Sequence, residues 1–180
     1  LVRFIPENAP IYRFGNKKMT AKIVYQNPWF EVIQDGKWHF IHEPDSHNGA
    51  VIVAQHNGSF VLVRVPRRAH AAELLEVPRG YGEPGESALS AAVRELREET
   101  GFNVASENFK RIGEVRPNTA VLASTLQVFA CDIPADAVAG SRDNEASEVV
   151  MLTAPEVRQL VASGDITCGI TLAALLLAQI

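Results

Sequence analysis

The chain is short of several things at once. Among its 180 residues are two cysteines, two methionines and two tryptophans, and aromatic residues make up 7%. Cys131 and Cys168 lie far apart and show no metal-ligand spacing, so they read as buried free thiols in a reducing compartment rather than as a disulfide framework. Long apolar runs are missing too. The longest, Ile170 to Ile180, is too short to span a bilayer and reads as a core helix. The opening LVRFIPENAP lacks the apolar stretch of a secretory signal, so a cytoplasmic location is expected. There is no excess of positive charge: 17 basic residues face 21 acidic ones, a net charge of -4. Neither a nucleic-acid duplex nor an anionic membrane is therefore an expected partner. No internal repeat or low-complexity tract is visible. With 47% apolar and 21% charged residues, the remainder is the composition of an ordinary globular protein. Its length suits one domain with a small extension.

What is present concentrates between Gly80 and Phe102, GYGEPGESALSAAVRELREETGF. Glu95, Glu98 and Glu99 stand at i, i+3 and i+4, so on a helix their carboxylates crowd one face. Like charges at that spacing repel unless something neutralises them. Grouped carboxylates are hard oxygen ligands, suited to Mg²⁺ or Mn²⁺ rather than zinc. The spacing predicts a helix with Ser87 as N-cap and Gly101 as C-terminal stop. Leu89, Val93 and Leu96 are its expected core face, and Arg94 and Arg97 lie toward the negative end of its dipole. Gly80, Gly82, Pro84 and Gly85 predict a tight preceding loop able to bring carbonyls near an ion.

The full spacing is more specific than any of its parts. Five residues separate Gly80 from Glu86, and seven separate Glu86 from Arg94-Glu95-Leu96. Glu98-Glu99 and Gly101-Phe102 then follow at single-residue gaps. This pattern matches G-x5-E-x7-R-E-U-x-E-E-x-G-U at every constrained position. Seven fixed identities at roughly 1 in 20 each give a chance match of about one in a billion per starting point. The chain thus resembles the Nudix hydrolases, which cleave a nucleoside diphosphate linked to another moiety X.

Several site assignments are implied by that resemblance. Glu95 and Glu99 would ligate Mg²⁺ (Mn²⁺ being possible), joined by Glu98 directly or through water and by the backbone carbonyl of Arg79. Glu86 and Arg94 would hold loop and helix together, with Arg94 orienting a glutamate. Upstream, Glu76-Val77-Pro78-Arg79-Gly80 is similar to the E-[LIV]-P-x-G signature of ADP-ribose and ADP-sugar pyrophosphatases, in which Glu76 would contact substrate or a dimer partner. Arg79 replaces that branch's usual alanine, which changes the pocket. Leu62 to Arg67 stands where a V-R-Q-Y-R pattern is common, so Arg64 and Arg67 become substrate-binding candidates; Val65-Pro66 departs from the pattern. The general base would come from the acidic loop Ser141 to Glu148, with Glu145 the best positional match and Glu148 and Asp143 as rivals.

The order of elements predicts an α+β fold with a mixed sheet flanked by helices, which the resemblance makes a Nudix-type α/β/α sandwich. Strands are expected over 20–26, 29–34 and 37–42, then 51–55, 60–65 and 74–78. After the motif helix come strands over 109–115, 125–133 and 148–152. Helices over 154–163 and 171–180 close the chain. Asp35-Gly36 and Asn57-Gly58 are hairpin signals. Residues 1–18 look irregular. Residues 1–45 exceed the minimal domain of 46–180; in the ADP-ribose branch such an extension forms a small antiparallel sheet that builds a homodimer, and Asn27-Pro28-Trp29-Phe30 is similar to it. Trp29, Phe30, Trp38 and the histidines 39, 42, 47, 56 and 70 read as structural. Arg116 to Thr119 sits at a strand end near the expected substrate loop.

The expected activity is Mg²⁺-dependent hydrolysis of a nucleoside diphosphate derivative, most plainly ADP-ribose or an ADP-sugar. NADH and dinucleoside polyphosphates are alternatives. A non-catalytic sensing module would be expected to lose a motif glutamate, and none is lost. An isoprenoid diphosphate isomerase would need a catalytic cysteine that neither Cys131 nor Cys168 suggests.

Overall fold

A computed structural model describes residues 13–14, 17–18 and 21–180. They form two compact units. One comprises the described residues up to Pro44 together with Arg116–Ser124, and the other comprises Asp45–Val115 and Thr125–Ile180.

The first unit is built from short antiparallel strands. β1 (Arg13–Phe14) pairs with β2 (Lys17–Lys18), within a stretch expected to be irregular. The rest of that stretch lies outside the described residues, as does the side chain of His47. β3 (Lys22–Gln26), β4 (Glu31–Asp35) and β5 (Trp38–His42) form a three-stranded sheet. β4 starts later than expected because Asn27 Oδ1 accepts the backbone N–H groups of Trp29 and Phe30 at 2.9 and 2.8 Å, holding them in a turn. The Asp35-Gly36 hairpin forms, with Gly36 at φ +58°. Residues 116–124 join this unit: Ile41 N–H donates to Val121 O at 2.7 Å, and Ala123 N–H donates to Ile41 O at 2.9 Å.

The second unit carries a seven-stranded mixed sheet. Its strands are β6 (Ala50–His56), β7 (Ser59–Arg67), β8 (Ala72–Glu76), β9 (Arg79–Gly80), β10 (Phe109–Val115), β11 (Leu126–Ile133) and β12 (Glu148–Leu152). The main order is β10-β11-β6-β7-β12, with β11 parallel to β6. Asn57 and Gly58 both take positive φ, 50° and 79°, closing the β6–β7 hairpin as expected. β6 and β7 then part company. They pair only from Ala54↔Val61 to His56↔Ser59; farther along, β7 pairs with β8 and β6 with β9. The chain from Ala72 to Gly80 therefore fills a fork in the sheet and delivers its end to the motif loop.

Alternation along β6 assigns the two faces. Ala50, Ile52 and Ala54 pack with Ala91, Ala92 and Leu96 of α1 (Ala88–Thr100), while Val51 and Val53 pack with Val157 of α2 (Ala154–Ser163) and Ala174 and Leu175 of α3 (Gly169–Leu177). One helix on one face and two on the other make the expected α+β Nudix sandwich. Leu96 is buried and Val93 packs against the same cluster as expected, but Leu89 is exposed, and Ala91 and Ala92 with the partly buried Ala88 take its place. Small side chains there let the helix approach β6 closely. Cys131 is buried in β11, whereas Cys168, the N-cap of α3, is only partly so.

The ends of α1 follow its sequence signals. Ser87 Oγ accepts the Ser90 N–H at 3.1 Å, and Gly101, at φ +81°, donates its N–H to Arg97 O at 2.8 Å. A β-carbon on Gly101 would also press on the backbone of Gly140. Replacing Ser87 by alanine should lower stability by about 1 kcal/mol in equilibrium urea unfolding. An unchanged midpoint would show that the cap contributes nothing.

Candidate active site

Arg94 organises the motif. Its five N–H donors are all used: Nε to Glu86 Oε1 (3.2 Å), one Nη to Glu95 Oε1 (2.8 Å) and Glu98 Oε2 (2.9 Å), and the other to Glu86 Oε2 (3.0 Å) and the Tyr81 carbonyl (2.7 Å). The guanidinium is held well above its ordinary pKa, first by the Glu86 hydrogen bond. The same contact holds Glu86 below the usual carboxylate range. The loop carbonyl, the loop glutamate and two helix glutamates thus share one cation. Arg97 adds a weaker contact to Glu98 at 3.3 Å.

Glu95 and Glu99 are unusual among charged residues in being buried, at 8% and 4% exposure. Burial pushes the Glu99 carboxyl up to about 8, against the opposing hydrogen bond it accepts from the Arg79 N–H at 3.1 Å. Burial likewise raises Glu95 despite Arg94, and the nearby charges of Glu98 and Glu145 act in the same direction. Gly80 is required here, because a β-carbon would occupy the volume of the Glu95 carboxylate. Among the described residues, no three acidic, histidine or cysteine side chains converge on one ion position. The Arg94 guanidinium lies between Glu95 and Glu98 instead. The donor set still fits a divalent cation: two buried carboxylates that burial disfavours as anions, a third at the surface one turn along, and only oxygen donors.

Behind these residues sits a second charge cluster. Glu76 is 1% exposed, and both its oxygens are engaged. Arg67 donates to them from Nε and Nη at 2.8 Å each, and Arg79 donates from Nε at 2.9 Å. Burial opposes the Glu76 charge, yet the two arginines more than offset it and hold the carboxyl below its usual range. Both Glu76 oxygens are thus bonded within the chain, to the side chains that flank it. Arg67 is partly exposed but not free: Glu76 fixes two of its five donors. Arg64 pairs with Glu148 at 3.1 Å across the β7–β12 register.

The acidic loop is tied to the end of α1. Asp143 N–H donates to Glu98 O and Gly140 N–H to Gly101 O, both at 2.8 Å. Arg142 closes the loop on the carbonyls of Ala146 and Ser147 at 2.8 and 2.9 Å, and Glu145 N–H bonds Asp143 Oδ1 at 3.0 Å. Glu145 is exposed, with its charge felt at Glu95. Glu148 points instead to Arg64.

Three supporting residues carry no signal in the sequence: Arg142, Asn48, and Thr171, whose buried Oγ1 accepts the Val77 N–H at 3.2 Å. Thr171 and Asn48 reach partners tens of residues away, so no local spacing could single them out.

Comparison with known proteins agrees with this geometry. A solved structure described as "Crystal structure of ADP compounds hydrolase" superposes with a TM-score of 0.71 at 19% identity, covering 89% of this chain and 90% of that one. At that identity the likeness speaks for the fold. The profile of the NUDIX domain matches residues 46–166, about two thirds of the chain, including the motif loop, α1 and the acidic loop. With every motif position filled, the chain belongs to the Nudix family of pyrophosphohydrolases.

Proposed function

We propose that this protein hydrolyses the pyrophosphate bond of an ADP-linked compound, ADP-ribose or an ADP-sugar, with Mg²⁺ as cofactor. The observation that carries the reading is the burial of Glu95 and Glu99 beside Glu98. Buried carboxylates this close together need a cation, and burial already holds both above the usual carboxylate range. The Glu76-Val77-Pro78-x-Gly80 segment and the likeness to an ADP compounds hydrolase support the ADP moiety.

Glu95, Glu99 and Glu98, with the carbonyl of Arg79, would hold the ion. Bound there, it would neutralise phosphoryl oxygens and acidify a water. The protein's own part is positioning and charge stabilisation. Arg94 keeps the glutamate side chains in register. Arg67, aligned by Glu76, offers its remaining donors to a phosphate, and Arg64 is a second such donor. Glu145 is the candidate base, being exposed and close enough to Glu95 for its charge to act there. It would take a proton from the attacking water as one phosphorus–oxygen bond of the anhydride breaks. The products are a nucleoside monophosphate and a phosphorylated X. The exposed Trp29 and Trp38 of the first unit support a homodimer as the working assembly.

Incubated with Mg²⁺, the purified protein should convert ADP-ribose or an ADP-sugar to AMP and a sugar phosphate. Activity confined to NADH or dinucleoside polyphosphates would replace the substrate, and none on any of these would overturn the reading. Glu99→Gln should weaken Mn²⁺ binding at least tenfold, about 1.4 kcal/mol, in a titration followed by electron paramagnetic resonance. Glu145→Gln should lower kcat by on the order of 100-fold with KM nearly unchanged; full turnover would move the base to Glu98, Glu148 or Asp143. Glu76→Gln should cost about 3 kcal/mol in urea unfolding, because it removes the charge between two arginines.

A further inference from the structure

We propose that Asn48 is a positioning residue for the active site, acting through the turn that presents Glu86 to Arg94. This rests on the functional reading above only for its kinetic consequences. Asn48 precedes β6, is 7% exposed, and lies 35 to 38 residues from the turn it touches. Its Nδ2 donates to two carbonyls, Glu83 O and Glu86 O, each at 3.0 Å. Both acceptors are carbonyls, so the amide can face them only with its nitrogen.

The two carbonyls bracket a closed turn. Glu86 N–H donates to Glu83 O at 2.9 Å, and Glu83 N–H donates to Glu86 Oε2 at 2.8 Å. The turn thereby aims the Glu86 carboxylate at Arg94, which then orients Glu95 and Glu98. Two further observations mark Asn48 as placed for this purpose rather than as filler. A β-carbon at Gly82 would overlap the Asn48 side chain, so the amide as placed requires glycine in the loop. Its Oδ1 is buried with no hydrogen-bond partner among the described residues. A leucine of similar size would avoid that orphaned acceptor, and only the two donated bonds favour an amide.

The test compares Asn48→Ala, the isosteric Asn48→Asp, Glu86→Gln and the Asn48→Ala/Glu86→Gln pair. The readouts are Mn²⁺ affinity, kcat and KM, and the ¹⁵N signal of Arg94 Nε–H. Asn48→Ala should weaken Mn²⁺ binding and lower kcat by about tenfold each, which is 1.4 kcal/mol apiece, with KM little changed. Asn48→Asp, which turns an acceptor toward two carbonyls, should do no better. The double variant should lose little beyond Glu86→Gln alone, because both act along one chain of contacts. The Arg94 Nε–H signal, distinct in the parent protein, should broaden or shift in Asn48→Ala. Full multiplication of the single losses, or parent-like Mn²⁺ affinity in Asn48→Asp, would overturn the proposal. Should the parent protein itself bind no Mn²⁺ and cleave nothing, the functional reading fails. The Arg94 signal then decides the role of Asn48 alone: a change on substitution supports it, and no change refutes it.

Discussion

One guanidinium holds this site together. Arg94 spends all five donors on Glu86, Glu95, Glu98 and the Tyr81 carbonyl, and so joins the glycine loop to two positions on α1. A lysine could supply the charge but not the planar fork that reaches loop and helix together. Without that cation, the carboxylates of Glu86, Glu95 and Glu98 would repel one another. With it, the acidic face of α1 is held together by a charge of the chain itself. Arg94 is therefore the scaffold of the site, and an ion held as proposed would have to share Glu95 and Glu98 with it.

The sheet supplies the rest of the frame. Because β6 and β7 separate after the hairpin, the segment from Ala72 to Gly80 enters the fork and is paired on both sides. Ile52 N–H bonds the Pro78 carbonyl at 2.8 Å, and Thr171 of α3 takes the Val77 N–H, so the stretch preceding the motif is fixed from the sheet and from the helix beneath. Glu76, in that stretch, gathers Arg67 from β7 and Arg79 from β9. The two charge clusters have opposite architectures. One is a cation surrounded by carboxylates, and the other a carboxylate clasped by cations. They meet at Arg79, whose N–H reaches Glu99 while its side chain reaches Glu76.

Much of this was legible in the sequence, and the physical reasons differ by residue. Ser87, Gly101, Asn57-Gly58 and Asp35-Gly36 act through bonds and dihedral angles a few residues long, so their signals are local and the structure follows them. The motif spacing placed Glu86, Glu95, Glu98 and Glu99 because a helix converts sequence distance into direction. The core face of α1 was misjudged at Leu89, since size suggested burial where close packing against β6 selected alanines. Glu76 was expected to contact substrate or a dimer partner; its bond to Arg67 arises only from the pairing of β7 with β8, which no local spacing shows, whereas Arg79 stands three residues along. Asn48 and Thr171 went unseen because their partners lie tens of residues away, and Arg142 because it bonds backbone carbonyls, which leave no mark in the sequence. Arg116 to Thr119 read as a strand end near the expected substrate loop, and the segment from Arg116 to Ser124 clusters with the strands of the first unit.

That last placement bears on how the chain can be divided. The first unit is discontinuous: it takes in residues before Asp45 and again Arg116–Ser124, so the polypeptide passes between the units three times. Ile41 holds the returning segment through bonds to Val121 and Ala123. Trimming the amino-terminal strands would strip these partners from a loop rooted between β10 and β11, on the strand that lies beside β6. The unit that looks like a detachable appendage is thus stitched into the middle of the catalytic sheet's connectivity, and a clean excision would have to remove two pieces of chain.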